Sequence, residues 1–293
     1  MPDDSTVVCV LGAPRSGTSL TARVLNLIGV DLGPEEQMLE AGPGNPLWEC
    51  RRFVELNDRI LDKLGGAALA PPVPKPGWEQ SDIFAAERAD ARRLLDETFS
   101  GTRLWGWKDP RTCLTLPFWQ RLVPGLRYVI CVRSPLDSVA STLRHTSISR
   151  EQALRIWLVY VASALANTVS GPRTFVSYEA YFAGRDSQVK RLARFAGRDV
   201  PTSGTPAAGL IESLVEQRLW HHRSPLGDGL DNPDLIPAIT PLFLILQLST
   251  VLAAGAGDDG AADGRSLELS ESLGAYARRL LDGIPSSAPA PSG

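Results

Sequence analysis

The chain has 293 residues, of which 43% are hydrophobic and 22% are charged, so it can bury a full core without disulfides or a structural metal. Its net charge of −3 argues against a surface made to bind nucleic acid, although a local arginine cluster can still hold an anion. Four cysteines without a C-x-x-C pair and only three histidines disfavour a disulfide framework and a zinc site.

The chain opens with a predicted strand, a glycine-rich loop and a helix. Val7–Leu11 is a continuous apolar run that ends at Gly12, which is typical of a buried parallel strand. From Thr18 onward apolar residues recur at helical spacing, and Gly29 ends the helix.

The elements that follow alternate between strands and helices. Further strands are predicted at 104–107, 128–132 and 174–177, and helices at about 47–64, 82–99, 135–143, 150–169 and 188–195. Ser81 is the predicted N-cap of the helix that ends near Phe99. This alternation predicts an α/β fold with a three-layer, P-loop-like parallel sheet flanked by helices.

After residue 200 only helical segments are predicted, at 207–222, 236–254 and 266–282. We therefore expect one domain over residues 1–284, with an α/β core at about 6–196 and a helical C-terminal part at about 207–282. The Pro-, Ser-, Ala- and Gly-rich residues 285–293 are predicted to be a disordered tail. With no signal peptide and no segment suited to spanning a bilayer, the sequence predicts a cytoplasmic protein without stable membrane insertion.

The loop between the first strand and the first helix has the composition of an anion site. Gly12 and Gly17 allow close backbone approach, and the hydroxyl groups of Ser16, Thr18 and Ser19 can donate hydrogen bonds. Backbone N–H groups and the helix N-terminus add positive potential there. The glycine spacing fits the P-loop pattern G-x-x-x-x-G-K-S/T, but Thr18 stands where that motif has its lysine.

A second anion site is predicted at the end of the strand at 128–132. Arg133 follows that strand, and Ser141 lies eight residues later on the helix that begins at Pro135. Ligands of doubly wound sheets gather at the carboxyl ends of the strands, so these two side chains are expected to bind one anion.

Together these motifs resemble those of sulfotransferases that use 3′-phosphoadenosine 5′-phosphosulfate (PAPS). The segment Pro14-Arg15-Ser16-Gly17-Thr18-Ser19 is similar to the P-R-S-G-T-S/T loop of the bacterial branch. The resemblance implies that these six residues hold the 5′-phosphosulfate. It also implies that Arg133 and Ser141 hold the 3′-phosphate, that no metal is needed, and that the product is 3′,5′-ADP.

The resemblance extends over about residues 6–196. Ser177-Tyr178-Glu179 resembles a Tyr-Glu-Asp segment of the family, which implies that Tyr178 contacts the adenosine. The Arg-Lys-Gly segment with which the cytosolic branch completes its 3′-phosphate site is not found late in this chain. Arg218 and Arg223 are candidates for that role, and neither is assigned.

Sulfuryl transfer needs cations at the leaving oxygen and a base for the acceptor proton. Arg15 is one cation, and the resemblance implies that Lys108 is the second. The catalytic histidine of the cytosolic branch is missing from Lys108-Asp109-Pro110-Arg111. Glu49, at the start of the helix at 47–64 and after a glycine-rich loop, is the first choice of base, because the resemblance to other branches implies a glutamate base in this region; Asp109 is the second choice. Both carboxylates have structural interpretations, since Glu49 would favour a helix dipole and Asp109 would pair with Arg111. His145, His221 and His222 are interpreted as solvated.

The acceptor is expected to be a hydroxyl group, or in second place an amine, of a small molecule, glycolipid or natural product. It would enter over residues 33–48, residues 66–78 and the helical C-terminal third. The tryptophans near the predicted cleft are interpreted first as core residues. Two alternative functions remain open from the residues alone: a P-loop-like small-molecule kinase and a non-catalytic nucleotide-binding protein. The sequence leaves the oligomeric state open.

Overall fold

The computed structural model describes residues 5–42, 46–215, 238–255 and 264–284. Its strands are β1 (Thr6–Leu11), β2 (Met38–Glu40), β3 (Pro46–Cys50), β4 (Leu104–Lys108), β5 (Arg127–Val132) and β6 (Arg173–Ser177). Four of these form a sheet in the order β4-β1-β5-β6, and each neighbouring pair runs parallel. The short strands β2 and β3 form a separate antiparallel hairpin.

Ten α-helices lie within the described residues. They are α1 (Thr18–Leu27), α2 (Arg51–Lys63), α3 (Ala85–Phe99), α4 (Thr112–Gln120), α5 (Pro135–Leu143), α6 (Arg150–Asn167), α7 (Tyr178–Phe195), α8 (Pro206–Leu214), α9 (Ile239–Gly255) and α10 (Gly264–Asp282). The predicted α/β class with a P-loop-like parallel sheet flanked by helices is confirmed. Each predicted sheet strand was found within one residue of its expected bounds, because a strand buried on both faces is written as a short apolar run.

The order of the strands places the candidate site. β1 pairs with β4 on one side and with β5 on the other. The chain therefore crosses first to β4 on one side of β1, and later to β5 on the opposite side. Loops that diverge in this way open a crevice at the carboxyl ends of the strands. The segments after β1, β4, β5 and β6 therefore meet at one edge of the sheet.

The prediction of a helix from residue 47 is wrong at its start. Leu47 and Glu49 lie on β3, which pairs with β2 through Met38 and Cys50, and α2 begins only at Arg51. Trp48 has a φ of 57°, a left-handed backbone conformation that does not continue into a right-handed helix. Glu49 is therefore a strand residue that precedes the N-cap of α2.

Other boundaries also differ from the predicted ones. Ser81 accepts a hydrogen bond from the backbone of Ile83 and caps a single 3-10 turn, after which α3 begins at Ala85. The helix predicted from residue 188 begins ten residues earlier, at Tyr178, and is kinked at Gly184. Helix α4 was not predicted, because Pro117 interrupts its sequence pattern.

A cluster of aromatic side chains fills the core beside β4. Trp105, Trp107 and Trp119 are buried, and Phe53 stacks on Trp107 with their ring centroids 5.3 Å apart. Phe99 stacks on Trp105 at 4.3 Å. These tryptophans are core residues, as the first interpretation of the sequence expected.

The C-terminal third, where described, is helical. Helix α9 contacts β6, and α10 packs along α6, where the Arg278 guanidinium donates a 3.0 Å hydrogen bond to the carbonyl oxygen of Ala166. Residues 216–237 and 285–293 lie outside the described residues, and with them Arg218, Arg223, His221, His222 and the predicted tail. Among the helices that are described, none combines the length and apolar character needed to cross a bilayer.

Candidate active site

The loop after β1 turns sharply into α1. Gly17 has a φ of 83° and Arg15 a φ of 67°, so two residues of this turn adopt the left-handed conformation. The backbone N–H of Ser16 donates to the carbonyl oxygen of Ala13 at 3.2 Å. The Ser16 side chain is buried, and its Oγ atom has no hydrogen-bond partner within the described residues. A buried hydroxyl of this kind is costly unless a bound group completes its hydrogen bonding.

Tyr178 closes one side of this loop. A Cβ atom added to Gly17 would lie 2.5 Å from Cδ2 of Tyr178, so only glycine leaves room for the ring at this point. Burial raises the pKa of Tyr178, although the charge of Arg133 acts in the opposite direction. The structure thus brings the first residue after β6 against the loop after β1.

Arg133 lies at the tip of β5 and binds the same loop. Its Nη1 atom donates a 2.9 Å hydrogen bond to the carbonyl oxygen of Arg15, and its guanidinium carbon lies 4.2 Å from the ring centroid of Tyr178. Arg133 is buried, yet its Nε atom has no partner within the described residues. The adjacent backbone N–H of Ser134 donates to Glu179 at 3.0 Å, which fixes the turn after β5.

Arg15 reaches from the loop to α5. Its Nε atom donates to Oγ of Ser141 at 3.0 Å. Desolvation of the guanidinium group, together with repulsion by Arg133 and Arg144, lowers the pKa of Arg15. A group of arginines that repel one another is stabilised by an anion, so this side of the crevice is suited to phosphate or sulfate.

Lys108 links the loop to the hairpin. Its Nζ atom donates to Oγ of Ser19 and to the carbonyl oxygen of Leu47, both at 3.1 Å, and forms a short ion pair with Oε1 of Glu49. The lysine is almost fully buried, at 2% exposed. The predicted cation and the first-choice base therefore lie in direct contact.

Arg111 holds the other side of the Glu49 carboxylate. Its Nη1 atom lies 3.7 Å from Oε2 of Glu49 and 2.9 Å from Oδ1 of Asp109, and its Nε atom donates to Asp58 at 2.7 Å. Although burial opposes it, the charges of Asp109 and Asp58 raise the pKa of Arg111. Arg111 thus connects the turn after β4 with the hairpin and with α2.

Asp109 is fully enclosed by hydrogen-bond donors. Its Oδ1 atom accepts from the backbone N–H of Arg111 at 3.0 Å and from the Arg111 guanidinium, while Oδ2 accepts from Asn57 at 2.8 Å. The residue is 0% exposed. The pairing with Arg111 that the sequence offered as its structural interpretation is present.

The predicted site residues form two groups joined at Ser19. The first contains the loop after β1, Arg133, Ser141 and Tyr178, and the second contains Lys108, Glu49 and Asp109.

Sequence reasoning gave no role to Glu179, Asn57 or the contact between Arg111 and Glu49. The signal available for Arg111 was its position three residues after Lys108. His145 contacts the carbonyl oxygen of Ser141 through Nδ1 at 2.8 Å.

This arrangement can hold an anionic ligand beside a carboxylate. The cations and hydroxyl groups lie on the sheet side, and Glu49 approaches from the hairpin with its carboxylate fixed by two cations. A carboxylate next to a bound anion can accept a proton from an attacking group. In the part of the chain that is described, no group of three or more His, Cys, Asp or Glu side chains is suited to a metal ion.

A model of the sulfotransferase family matches residues 8–202, about two thirds of the chain. The match includes every residue of both groups. No curated protein matches the chain.

Several solved structures are similar to this chain. The sulfotransferase domain from the curacin biosynthetic pathway is 17% identical, covers 69% of this chain and 76% of its own, and gives a TM-score of 0.42. The sulfotransferase domain of the Synechococcus PCC 7002 olefin synthase is 16% identical. That match covers 93% of this chain and 96% of the domain, with a TM-score of 0.40. A sulfotransferase from Mycobacterium avium is 14% identical. That match covers 97% of this chain and 78% of the other, with a TM-score of 0.45.

Proposed function

Because the chain belongs to the sulfotransferase family, we propose that it transfers the sulfuryl group of PAPS to a hydroxyl group of a small molecule, glycolipid or natural product. An amine is the second choice of acceptor. The family assignment decides against the small-molecule kinase and the non-catalytic nucleotide-binding protein. The identity of the donor rests on the second anion site, since a kinase substrate such as ATP has no 3′-phosphate.

One observation carries this proposal. Arg133 is buried, and neither its Nε atom nor the hydroxyl of Ser16 has a hydrogen-bond partner among the described residues. The two groups are close together, because Arg133 donates to the carbonyl oxygen of Arg15, the residue before Ser16. A nucleotide with phosphate groups at both positions would supply acceptors to both atoms. The residues therefore fit a donor that carries a 5′-phosphosulfate and a 3′-phosphate.

In the proposed reaction, residues 14–19 hold the 5′-phosphosulfate, Arg133 and Ser141 hold the 3′-phosphate, and Tyr178 contacts the adenosine. The acceptor oxygen attacks sulfur in line with the bridging oxygen, forming one S–O bond as the other breaks. The electron pair of the broken bond remains on the phosphate of 3′,5′-ADP. Lys108 stabilises that leaving oxygen by exchanging its bond to Ser19 for one to the nucleotide, and Arg15 supplies further positive charge.

Glu49 is the proposed general base. Its carboxylate is held by Lys108 and Arg111, and its Oε2 atom is beyond hydrogen-bond distance of Arg111, so this oxygen can accept the proton of the acceptor hydroxyl. Asp109 is less suited to the role because both of its oxygens already accept hydrogen bonds and the residue is fully buried. The geometry thus favours the first of the two predicted bases.

Calorimetry with 3′,5′-ADP and 5′-ADP, each with and without magnesium, tests the donor. PAPS use requires clearly tighter binding of 3′,5′-ADP. The opposite preference would contradict the proposed donor, and loss of binding on removal of magnesium would favour ATP chemistry.

The base is tested with Glu49→Gln, which keeps an acceptor for Lys108 but is not basic. Turnover is followed as release of 3′,5′-ADP from PAPS in the presence of phenols and alcohols, and Glu55→Gln on the exposed side of α2 is the matched control. We expect a loss of at least about 100-fold in kcat with unchanged affinity for 3′,5′-ADP. Full turnover in Glu49→Gln would rule out Glu49 as the base.

A further inference from the structure

One face of α5 carries more polar groups than the proposed nucleotide site uses. Ser138, Ser141 and Arg144 are spaced three residues apart, so successive side chains are turned by about 60° around the helix axis. Ser141 is the middle one, and its hydroxyl accepts from Arg15. Ser138 and Arg144 therefore flank Ser141, one turn nearer to each end of the helix.

The hydroxyl group of Ser138 has no evident role within the described structure. The residue is 2% exposed, and within the described part of the chain its Oγ atom has no hydrogen-bond partner. The hydroxyl of Thr142, four residues later, by contrast donates to the carbonyl oxygen of Ser138 at 2.8 Å. A buried hydroxyl without a partner costs free energy in the unliganded protein, and a ligand oxygen at this position would remove that cost.

Arg144 brings a third positive charge to the same place. It is exposed at the C-cap of α5, and its charge, like that of Arg133, repels Arg15. Over the described ranges, none of these three arginines forms an ion pair. The nearby carboxylate of Glu179 already accepts hydrogen bonds from the backbone of Ser134 and from the hydroxyl of Ser177. Three positive charges without a carboxylate partner match a phosphate dianion.

We propose that Ser138 and Arg144 are two further ligands of the second phosphate site, beside Arg133 and Ser141. The group they bind is a phosphate monoester, which is the 3′-phosphate of the donor if the proposed function holds. Helix α5 then completes this site from its own residues and does not depend on an arginine from the C-terminal third.

The test compares the affinities of the full-length chain for 3′,5′-ADP and 5′-ADP by calorimetry. The variants are Ser138→Ala and Arg144→Ala. Their matched controls are Thr142→Val, which removes a hydroxyl that is used within the helix, and Arg121→Ala, which removes an exposed arginine at the C-cap of α4. Each test variant is expected to bind 3′,5′-ADP about 5- to 20-fold more weakly and 5′-ADP within about twofold of the original chain. The controls should change neither affinity.

Thermal unfolding separates a ligand-binding role from a structural one. Because the Ser138 hydroxyl has no partner in the described part of the chain, Ser138→Ala should unfold at the same temperature as the original chain or at a higher one. A lower unfolding temperature, or equal weakening of both nucleotides, would overturn the inference.

The inference and the proposed function fail in different ways. If the original chain prefers 3′,5′-ADP and neither variant loses that preference, the inference is wrong and the donor assignment stands. If the original chain has no preference, the donor assignment fails, and the 3′-phosphate ligands proposed on α5 fail with it. Arg144→Gln, which keeps a polar side chain at the exposed position, repeats the test with less change in surface character.

Discussion

The Nε atom of Arg15 donates a 3.0 Å hydrogen bond to Oγ of Ser141, a residue 126 positions further along the chain. This bond joins the loop after β1 to α5 across the crevice. The cation expected at the 5′-phosphosulfate thus contacts the serine expected at the 3′-phosphate, so the two proposed anion sites are neighbours.

Replacement of Arg15 by alanine should therefore weaken both sites. We expect Arg15→Ala to bind 3′,5′-ADP about 10- to 100-fold more weakly, because one hydrogen bond from a charged group is worth roughly 1.5–3 kcal/mol. Ser141→Ala should reduce the affinity for 3′,5′-ADP less in the Arg15→Ala background than in the original chain, since the two residues are in contact. Calorimetry of the four chains measures the coupling, and strictly additive losses would contradict it.

Gly17→Ala should destabilise the chain and disturb the loop. The left-handed backbone costs about 1–2 kcal/mol with a Cβ atom, and the overlap with Tyr178 about 1–3 kcal/mol more. Gly65→Ala is the control, because Gly65 has a φ of 73° but, apart from its chain neighbours, no described residue lies within 4 Å of the added Cβ. Urea unfolding should show the larger loss at Gly17. Equal losses at the two positions would mean that Tyr178 does not restrict the loop.

Lys108→Met should be strongly destabilising. It leaves the buried Glu49 carboxylate without its main partner, a change that costs about 3–5 kcal/mol in other buried ion pairs. Adding Glu49→Leu should recover much of this loss, because no uncompensated charge then remains. Arg52→Met, which breaks an exposed pair with Glu97, should cost at most about 1 kcal/mol. A double variant less stable than Lys108→Met would contradict the ion pair as described.

Asp109→Asn should act on stability more than on chemistry. An amide in this position directs an N–H group at the donors of either Arg111 or Asn57, so we expect a loss of about 3 kcal/mol in urea unfolding. Turnover per folded molecule should remain within about tenfold of the original chain, in contrast to Glu49→Gln. The reverse pattern, a stable but inactive Asp109→Asn, would restore Asp109 as the candidate base.

The buried thiols should make the chain less stable at alkaline pH. Burial raises the pKa of Cys113 and of Cys131 to about 12, from an ordinary value of 9.0 in the unfolded chain. Between these values the folded state retains protons that the unfolded state loses. The free energy of unfolding should therefore fall as the pH rises from 9 to 12, by about 1.4 kcal/mol per pH unit for each thiol.

Urea unfolding at pH 8 and pH 10 measures this effect. The chain with Cys113→Ala and Cys131→Ala is the control, and its stability should fall less over the same interval. An identical pH dependence in both chains would show that these thiols do not contribute.

The sheet could be predicted from the sequence because its strands are short buried runs, three of which end at or just before Gly12, Lys108 or Arg133. The hairpin could not be predicted, since Leu47-Trp48-Glu49 also fits the first turn of the helix that follows. Only the pairing with β2 and the backbone of Trp48 decide between the two. Local pattern therefore gave the strands of the sheet correctly and assigned Glu49 to the wrong kind of element.

The motifs predicted which residues gather at the crevice, and the structure adds how they are connected. The ion pair between Arg111 and Glu49 depends on three-dimensional packing. So do the buried polar atoms of Ser16, Arg133 and Ser138 that find no partner within the described ranges. No spacing in the sequence encodes them. Residues close in the chain, such as Lys108 and Asp109, also turn out to have different surroundings.

The hairpin that carries Glu49 is not part of the sheet that carries the anion loop. Buried Met38, Trp48 and Cys50 join it to the hydrophobic core. Lys108 contacts its Glu49 carboxylate and the carbonyl oxygen of Leu47, and Arg111 lies beside the same carboxylate. A replacement hairpin in an engineered chain must therefore fill the same core positions and also present a carboxylate to these two cations. If Glu49 is the base, as proposed, we expect such a hairpin of different shape to change acceptor choice while the nucleotide affinity is retained.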